Sequence, residues 1–458
     1  MWTPDLQHSN KPIYLAVADA MAEDMRAGRL APGVRLPAQR DLAETLGVDF
    51  TTITRAYAEA RRRGLITSTV GKGTFVARPF SAAASAVSPD GLVDMSMNLP
   101  PRFTDPALEN RLWGGVSDLE RDKGTALLLR YQDSAGAPPD REAGVAWLRD
   151  RLPDIAVDRV LVSAGAQPAL TAIMADLARP GETICADALT YPGVRAAAAF
   201  LGIPLLGVVM DEEGAVPSAF EQVCGEVGPK AFYCTPTLQN PTTATMSLER
   251  RVEIVRVARR HGVAIIEDDP YGKLPLEPPP PIAALAPEIT YHLAGLAKVV
   301  SPTLRIAYVA APDVRAASRV AAGLRAITGM ASPLTASLAS AWITTGVAAA
   351  MLDAIRGETL ARRRMAADLL GEPFGQPAEA FHLWFTLPAG WSRTVFQDRL
   401  ARRQISVVPS DAFALTPHPP EAVRIGLGAA ATREELQRAL EAVRDVLGGS
   451  PSWAASLV

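Results

Sequence analysis

Apolar residues recur every fourth position between Lys11 and Gly28, at Ile13, Val17, Met21 and Met25, and this spacing predicts one inward face of a helix closed by a glycine. The stretch PAQRDLAETLG reads as a second, short helix stopped at Gly47. A third fits Thr51 to Arg63, with Ile53, Ala56, Tyr57 and Ala60 inward and Thr51, Thr52, Arg55 and Arg62 outward. In GLITSTVGKGTFVA two β-rich runs flank Gly71-Lys72-Gly73, which is a hairpin pattern. Three short helices followed by a two-stranded wing outline a winged helix. A small helical cap domain would show the same periodicity, and the pattern alone does not choose between them.

The stretch RPFSAAASAVSPDGL, Arg78 to Leu92, is rich in Ala, Ser and Pro without helical period, and residues 79–93 read as a linker between a domain at 9–78 and a larger one at 94–458. From about residue 95, short apolar runs alternate with longer helical patterns: RVLVSAG, ETICAD, KAFYCTP, VAIIEDD, YHLAGLAK, RIAYVAA. The alternation predicts an α/β fold with a mostly parallel sheet covered on both faces. Reactive groups then collect beyond the C-terminal strand ends, which brings Gly165, Asn240, Asp268 and Lys298 together. The uncharged run Ala196 to Met210 is interrupted by Gly202 and Pro204, is too short to span a membrane, and reads as core. Long Ala/Arg-rich helices and the runs EAFHLWFTLP, ISVVPSDAF and AVRIGLG then predict a smaller α+β subdomain, mainly about 325–458.

A chain of 458 residues with 48% hydrophobic content buries more than one core. The net charge of −3 divides unevenly, because residues 1–80 carry a small basic excess and the remainder is acidic. That excess favours nucleic-acid binding only weakly. Cys185, Cys224 and Cys234 lack metal-ligand spacing and read as reduced core thiols, so no metal is expected. The start, MWTPDLQHSNKPIY, has no apolar signal core, which predicts a cytoplasmic protein with no membrane partner. Among 46 basic residues lysine is rare, which makes Lys298 in AGLAKVVSPTLRIAY worth separate thought.

The segment GRLAPGVRLPAQRDLAETLGV…RAYAEARRRGLITSTVGKGTFVA closely resembles a GntR-type winged helix, on its LP-x-x-R-x-LA core and GxGTFV wing. The resemblance implies that Arg40, Thr51, Thr52 and the wing Gly71, Lys72, Gly73 and Thr74 face DNA. Asp49-Phe50 stand where the family often has Ser-Arg, so Arg55, or an apolar contact to a thymine methyl, takes the place of the usual base-contacting arginine. Phe50 itself reads equally as a core plug or a DNA contact.

Pyridoxal 5′-phosphate (PLP) requires a lysine amine for its aldehyde, a carboxylate to keep its ring nitrogen protonated, donors for its ring oxygen and an anion site for its phosphate. This chain offers a candidate for each. Taken singly they have plain structural explanations: Asp268 as a solvated strand end, Asn240 as a turn former before Pro241, Tyr191 as a core aromatic, Arg424 as a surface charge. Together they resemble the fold-type I aminotransferases. The resemblance implies Lys298 as the Schiff-base lysine, Asp268 (IIEDDPYG) on the ring nitrogen, and Asn240 (YCTPTLQNPTT) with Tyr271 on the ring oxygen. It implies Ala164, Gly165, Ala166 and Gln167 (VSAGAQPAL) with Arg305 for the phosphate, and Tyr191 (TYPG) stacked on the ring. Tyr131 (RYQDSAG) would serve the phosphate of a partner subunit, and Arg424 (AVRIGLG) a ligand carboxylate. Ala164, Ala166, Gly295 and Ala297 stand where hydroxyl residues are common, which implies looser retention of the cofactor.

A GntR-type winged helix joined to such a domain resembles the MocR family of transcription regulators. The resemblance implies a homodimer on operator double-stranded DNA, with PLP as cofactor and an amino acid, amine or PLP as effector. Two other readings are an active aminotransferase with an accessory DNA-binding domain, and a regulator that uses the large domain only to dimerise.

Overall fold

The computed structural model describes residues 2–4, 6, 11–26, 29–31, 33–63, 65–69, 73–76, 92–371 and 379–449. The chain divides into two compact units, Met1–Ser85 with Thr104–Gly124, and Ala86–Phe103 with Thr125–Val458. The two units interleave along the chain: the helix Pro106–Lys123 groups with the first, while residues 92–103 group with the second. The linker expected at 79–93 lies outside the described residues except for its last two.

In the first unit the helices Ile13–Arg26, Gln39–Leu46 and Phe50–Arg62 precede the antiparallel strands Ile66–Thr69 and Gly73–Val76, paired from Ile66 opposite Val76 to Thr69 opposite Gly73. Val17, Met21, Leu42, Ile53, Ala56, Tyr57 and Ala60 are fully buried at its centre. Ile13, expected inward, is 46% exposed, because it occupies the first turn of its helix, outside the cluster the later turns enter. Gly47 closes the second helix in the left-handed conformation, and Asp49 caps the third by accepting from the Thr51 amide at 2.8 Å. The buried Tyr57 hydroxyl donates to the Pro37 carbonyl at 2.8 Å and ties the third helix to the loop before the second.

The second unit is built on a seven-stranded sheet in the order Val160–Ser163, Ala307–Ala310, Thr290–Gly295, Ala264–Asp268, Ala231–Cys234, Ile184–Asp187, Leu205–Val208. Only Ala307–Ala310 runs antiparallel to its neighbours. Period-2 alternation divides the strands between two cores. Ile184, Ala186, Tyr233 and Ile266 face one, and Cys185, Phe232, Cys234 and Ile265 face the other. The three cysteines are buried and unpaired, as expected of core thiols. The run Ala196 to Met210 is only partly core: Phe200 is 82% and Val209 63% exposed, because the run ends in an edge strand of the sheet. Among the described residues no single helix is long and apolar enough to cross a membrane.

The small subdomain has a three-stranded antiparallel sheet, His382–Thr386, Ala422–Gly426 and Val408–Pro409, packed under the helices Val347–Leu370, Arg393–Ala401 and Arg433–Leu447. It is completed from far away in sequence. Val93–Asp94 pairs in parallel with Ile405–Ser406, Met95 is fully buried among the small subdomain's apolar residues, and the Gly426 amide donates to the Met95 carbonyl at 2.8 Å. The chain then crosses Gly428 so closely that a β-carbon there would stand 1.9 Å from the Leu99 carbonyl oxygen. Gly428→Ala must push residues 99–101 away, and the expected cost is about 1–3 kcal/mol. Chemical denaturation checks this, and a variant as stable as the parent would contradict the close approach.

Candidate functional site

The sheet order delivers four chemical groups to one cleft. Asp268 is the last residue of its strand, Lys298 follows Thr290–Gly295, Gly165 follows Val160–Ser163, and Asn240 lies in the turn after Ala231–Cys234. These strands end at the same edge because they run parallel, which is why residues 28 to 133 positions apart come together. From the small subdomain Arg424 reaches across. Its guanidinium donates to Asn240 Oδ1 at 2.8 Å and to the Ser96 carbonyl at 2.5 Å, and it lies 5.0 Å from the Phe413 ring centroid.

Asp268 is buried, and Oδ2 accepts from the Tyr233 hydroxyl at 2.7 Å while Oδ1 has no partner. Burial pushes its carboxyl up to about 6, against the opposing Tyr233 hydrogen bond. Lys298 donates to the Asn98 carbonyl. Burial, and then the Arg424 charge, bring its ammonium down to about 8, so a useful fraction of the amine is neutral near physiological pH. Tyr271 is buried, held edge-on by Phe381 at 5.8 Å, and its hydroxyl accepts from the Asn98 amide at 2.8 Å. Tyr191 sits at the start of the helix Pro192–Leu201, near enough to feel Asp268, Arg305 and Arg424, and is 36% exposed.

The turn Ala164-Gly165-Ala166 leads into the helix Ala166–Leu177, with Gly165 at φ 97° as its N-cap. A β-carbon on Gly165 would come within 3.1 Å of Arg305 Nη2, so the bare backbone and the guanidinium face each other at a helix N-terminus. That combination suits a phosphate-sized anion. The nearby Ser163 hydroxyl is already committed to the Gly165 carbonyl at 2.9 Å. Gln167 spans to the Gly193 carbonyl at 2.8 Å and leaves Oε1 unpartnered. Tyr131 does not join this cluster; it is 95% exposed, beside Leu128 and Leu129 at 65% and 78%.

Three residues of the site were not singled out from the sequence. Asn98 is buried between Lys298, Tyr271 and His382. His382 is buried on a small-subdomain strand, and Tyr233 anchors Asp268 from the neighbouring strand. For Tyr233 a signal existed, because it lies on the inward-alternating face of a strand next to that of Asp268. For Asn98 and His382 none did, since their contacts span 173 and 284 residues.

On the first unit, the third helix presents Thr51, Arg55 and Phe50 outward, with Thr52 half-buried. Phe50 is 43% exposed, which rules out a core plug, and the Arg40 guanidinium lies 5.8 Å from its ring centroid. Arg55 lies over the Tyr14 ring at 4.2 Å. Gly71 and Lys72 fall outside the described residues, whereas Gly73 opens the second wing strand. Among the described residues no cluster of His, Cys, Asp and Glu has the makings of a metal site.

Comparison with known proteins agrees with both halves. Residues 13–76 match the family of bacterial regulatory proteins, gntR family, and residues 119–443 match aminotransferase class I and II. The uncharacterized HTH-type transcriptional regulator YdeF of Bacillus subtilis is 30% identical over 454 residues, spanning 97% of this chain and 96% of its own. The HTH-type pyridoxine biosynthesis transcriptional regulator PdxR of Corynebacterium glutamicum is 27% identical over 318 residues, 66% of each chain. In fold, LysN, the alpha-aminoadipate aminotransferase of Thermus thermophilus, superposes with a TM-score of 0.71 at 23% identity, covering 80% of this chain and 94% of that one. With a gntR-type domain joined to an aminotransferase class I and II domain along the full length of a regulator relative, the chain belongs to the MocR-type transcription regulators.

Proposed function

We propose that this regulator holds PLP on Lys298, binds operator DNA as a homodimer in the cytoplasm, and responds to an amino acid, an amine or PLP itself. The observation that carries the reading is one cleft containing a depressed lysine, a buried carboxylate with a free oxygen and an arginine at a helix N-terminus. The residues fit the cofactor. Asp268 Oδ1 is an orphaned buried acceptor suited to a protonated ring nitrogen, and Gly165 with Arg305 forms a cradle a β-carbon would fill. When bound, PLP supplies an electron-withdrawing ring and an aldehyde carbon open to attack by a primary amine.

The protein's own groups divide the work. Neutral Lys298 is the nucleophile, and Arg424 and Arg305 keep its proton affinity low. Asp268, oriented by Tyr233, holds a proton on the ring nitrogen, while Asn240 and Tyr271 address the ring oxygen and Tyr191 covers the ring face. Ala164 and Ala166 offer backbone N–H groups, Gly165, whose own N–H donates to the Ser163 carbonyl at 2.7 Å, offers the space a side chain would fill, and Arg305 offers a guanidinium to the phosphate. Arg424 is the cation for an effector carboxylate. Tyr131, exposed beside two exposed leucines, is free to reach the same site in a second copy. On the DNA side Arg40, Thr51, Thr52, Arg55 and Phe50, with the wing from Gly71 to Gly73, form the contact set. Phe50 offers an apolar face to a thymine methyl.

Two outcomes are expected. Because the neutral amine is the reacting form, PLP uptake by the protein should accelerate about tenfold per pH unit below about 8 and level off above it. Stopped-flow absorbance reads this, and Lys298→Ala should lose visible absorption on gel filtration; a variant that keeps it removes Lys298 from the role. Arg40→Ala should weaken binding to a duplex selected by the parent protein from a random pool by about 1–3 kcal/mol, and change the salt slope by about one, with PLP absorption untouched. Unchanged affinity would take Arg40 off the DNA face, and no salt-dependent complex at all would favour an aminotransferase.

A further inference from the structure

Asn98 belongs to none of the motifs that assign roles in the cleft, yet its side chain touches one of the groups that carry them. The amide nitrogen donates to the Tyr271 hydroxyl at 2.8 Å and stands 3.3 Å from His382 Nδ1. An amide nitrogen has two hydrogens and accepts nothing, so both are used only when Nδ1 is an acceptor. His382 meets that condition. Burial, then the Arg424 charge, hold its ring down at about 3, so it is neutral with a single N–H. With that hydrogen on Nε2, which is buried and has no hydrogen-bond partner among the described residues, Nδ1 keeps a lone pair toward Asn98. With Nδ1 accepting, the reversed amide would set an oxygen lone pair against that nitrogen, which favours the orientation that turns the amide nitrogen toward Tyr271 and His382.

The consequence falls on Tyr271. Its oxygen already accepts from Asn98, so its own hydrogen is directed elsewhere, and burial keeps the phenol protonated. Phe381 at 5.8 Å and His382 at 6.0 Å hold the ring itself. We propose that Asn98 is a positioning residue that polarises the Tyr271 hydroxyl, making Tyr271 a one-way donor toward the ring oxygen of bound PLP. The inference rests on the PLP reading above. A fixed donor favours the ionised ring oxygen, and so lowers the pH at which the lysine-bound cofactor gives up its imine proton. The charges bearing on Tyr271 are Arg424 and Asp268, with the Tyr191 phenol beyond them, and they are the same in every variant below.

The experiment is a pH titration of the visible spectrum of PLP-loaded full-length protein. It compares the parent, Asn98→Ala, the volume-keeping Asn98→Leu, Tyr271→Phe, and each Asn98 change in the Tyr271→Phe background. Tyr271→Phe is expected to raise the midpoint, and each Asn98 variant to raise it by about half to one pH unit. In the Tyr271→Phe background the Asn98 changes should add nothing, because the hydroxyl they orient is gone. A role confined to folding would lower the melting temperature without this dependence on Tyr271. Midpoints that ignore Asn98, or shifts that add fully to Tyr271→Phe, overturn the proposal alone. A parent protein that takes up no PLP overturns the cofactor reading, and this one with it.

Discussion

Three consecutive carboxylates, Glu267, Asp268 and Asp269, end one central strand, and all three are buried. An isolated buried charge is costly, so the surrounding structure has to answer each one. Glu267 accepts from the amides of Ile282 and Ala283 at 2.8 Å each and faces His292 Nδ1 at 3.1 Å. Burial pushes Glu267 up, but His292 brings it net below the usual range, and the same contact raises His292 despite burial. Asp269 pairs with Arg151 at 3.3 Å, and Arg151 continues to the Pro279 carbonyl. Arg251, fully buried, binds the carbonyls of Pro236, Met246 and Pro280. The proline-rich loop after residue 277 thus supplies acceptors to the arginines that balance two of the acids. Asp268 and Asp269 each keep one oxygen without a partner among the described residues, but Asp269 already pairs with Arg151, whereas Asp268, on the opposite face of the strand from Glu267, is met by the Tyr233 hydroxyl and no described cation within bonding distance. Under the proposed function, the ring-nitrogen role falls to Asp268 because Glu267 and Asp269 already have cationic partners.

The same accounting explains why the cleft draws on both subdomains. Arg424 is too buried to be solvated and satisfies itself on Asn240 from the large sheet and on Ser96 from the crossing segment. Ser96 lies two residues beyond Asp94, the end of the strand that adds to the small subdomain, and two before Asn98, which bonds Lys298 and Tyr271. A stretch of three residues therefore meets Lys298, Tyr271 and Arg424. Gly426 and Gly428 hold that stretch in place by leaving no room for a side chain beneath it.

Much of this was legible in the sequence, and the reason is local. Lys298, Asp268, Asn240, Gly165 and Arg305 each sit in a short motif at or near a strand end, and parallel strands bring such ends together without any knowledge of side-chain contacts. The third helix was legible because its inward residues keep helical period, and all four expected inward are fully buried. What escaped is non-local or terminal. Ile13 keeps the period but lies in a first turn beyond the core, and Phe50, equally a plug or a contact on paper, is exposed. Pairing of Val93–Asp94 with Ile405–Ser406 joins segments about three hundred residues apart, and no periodicity encodes it. Asn98 and His382 inherit that invisibility, because each is recognisable only through the other.

For a regulator, the position of that crossing stretch is the point of physical interest. It follows in sequence the segment that connects to the DNA-binding unit, and it is held to the small subdomain on one side and to the groups of the cleft on the other. A ligand changes an equilibrium only by binding its states unequally. Under the proposed function, a carboxylate that engages Arg424 would compete directly with the Ser96 carbonyl and Asn240, and an amine that takes the place of Lys298 on the cofactor would change what Asn98 meets. Both events therefore alter the energy of residues 96–98. Coupling free energies of allosteric systems are typically about 1–3 kcal/mol, comparable to one or two charge-assisted hydrogen bonds. The Arg424 to Ser96 contact at 2.5 Å is a bond of that class, so exchanging it for a ligand contact is enough to move such an equilibrium without any large rearrangement of the sheet.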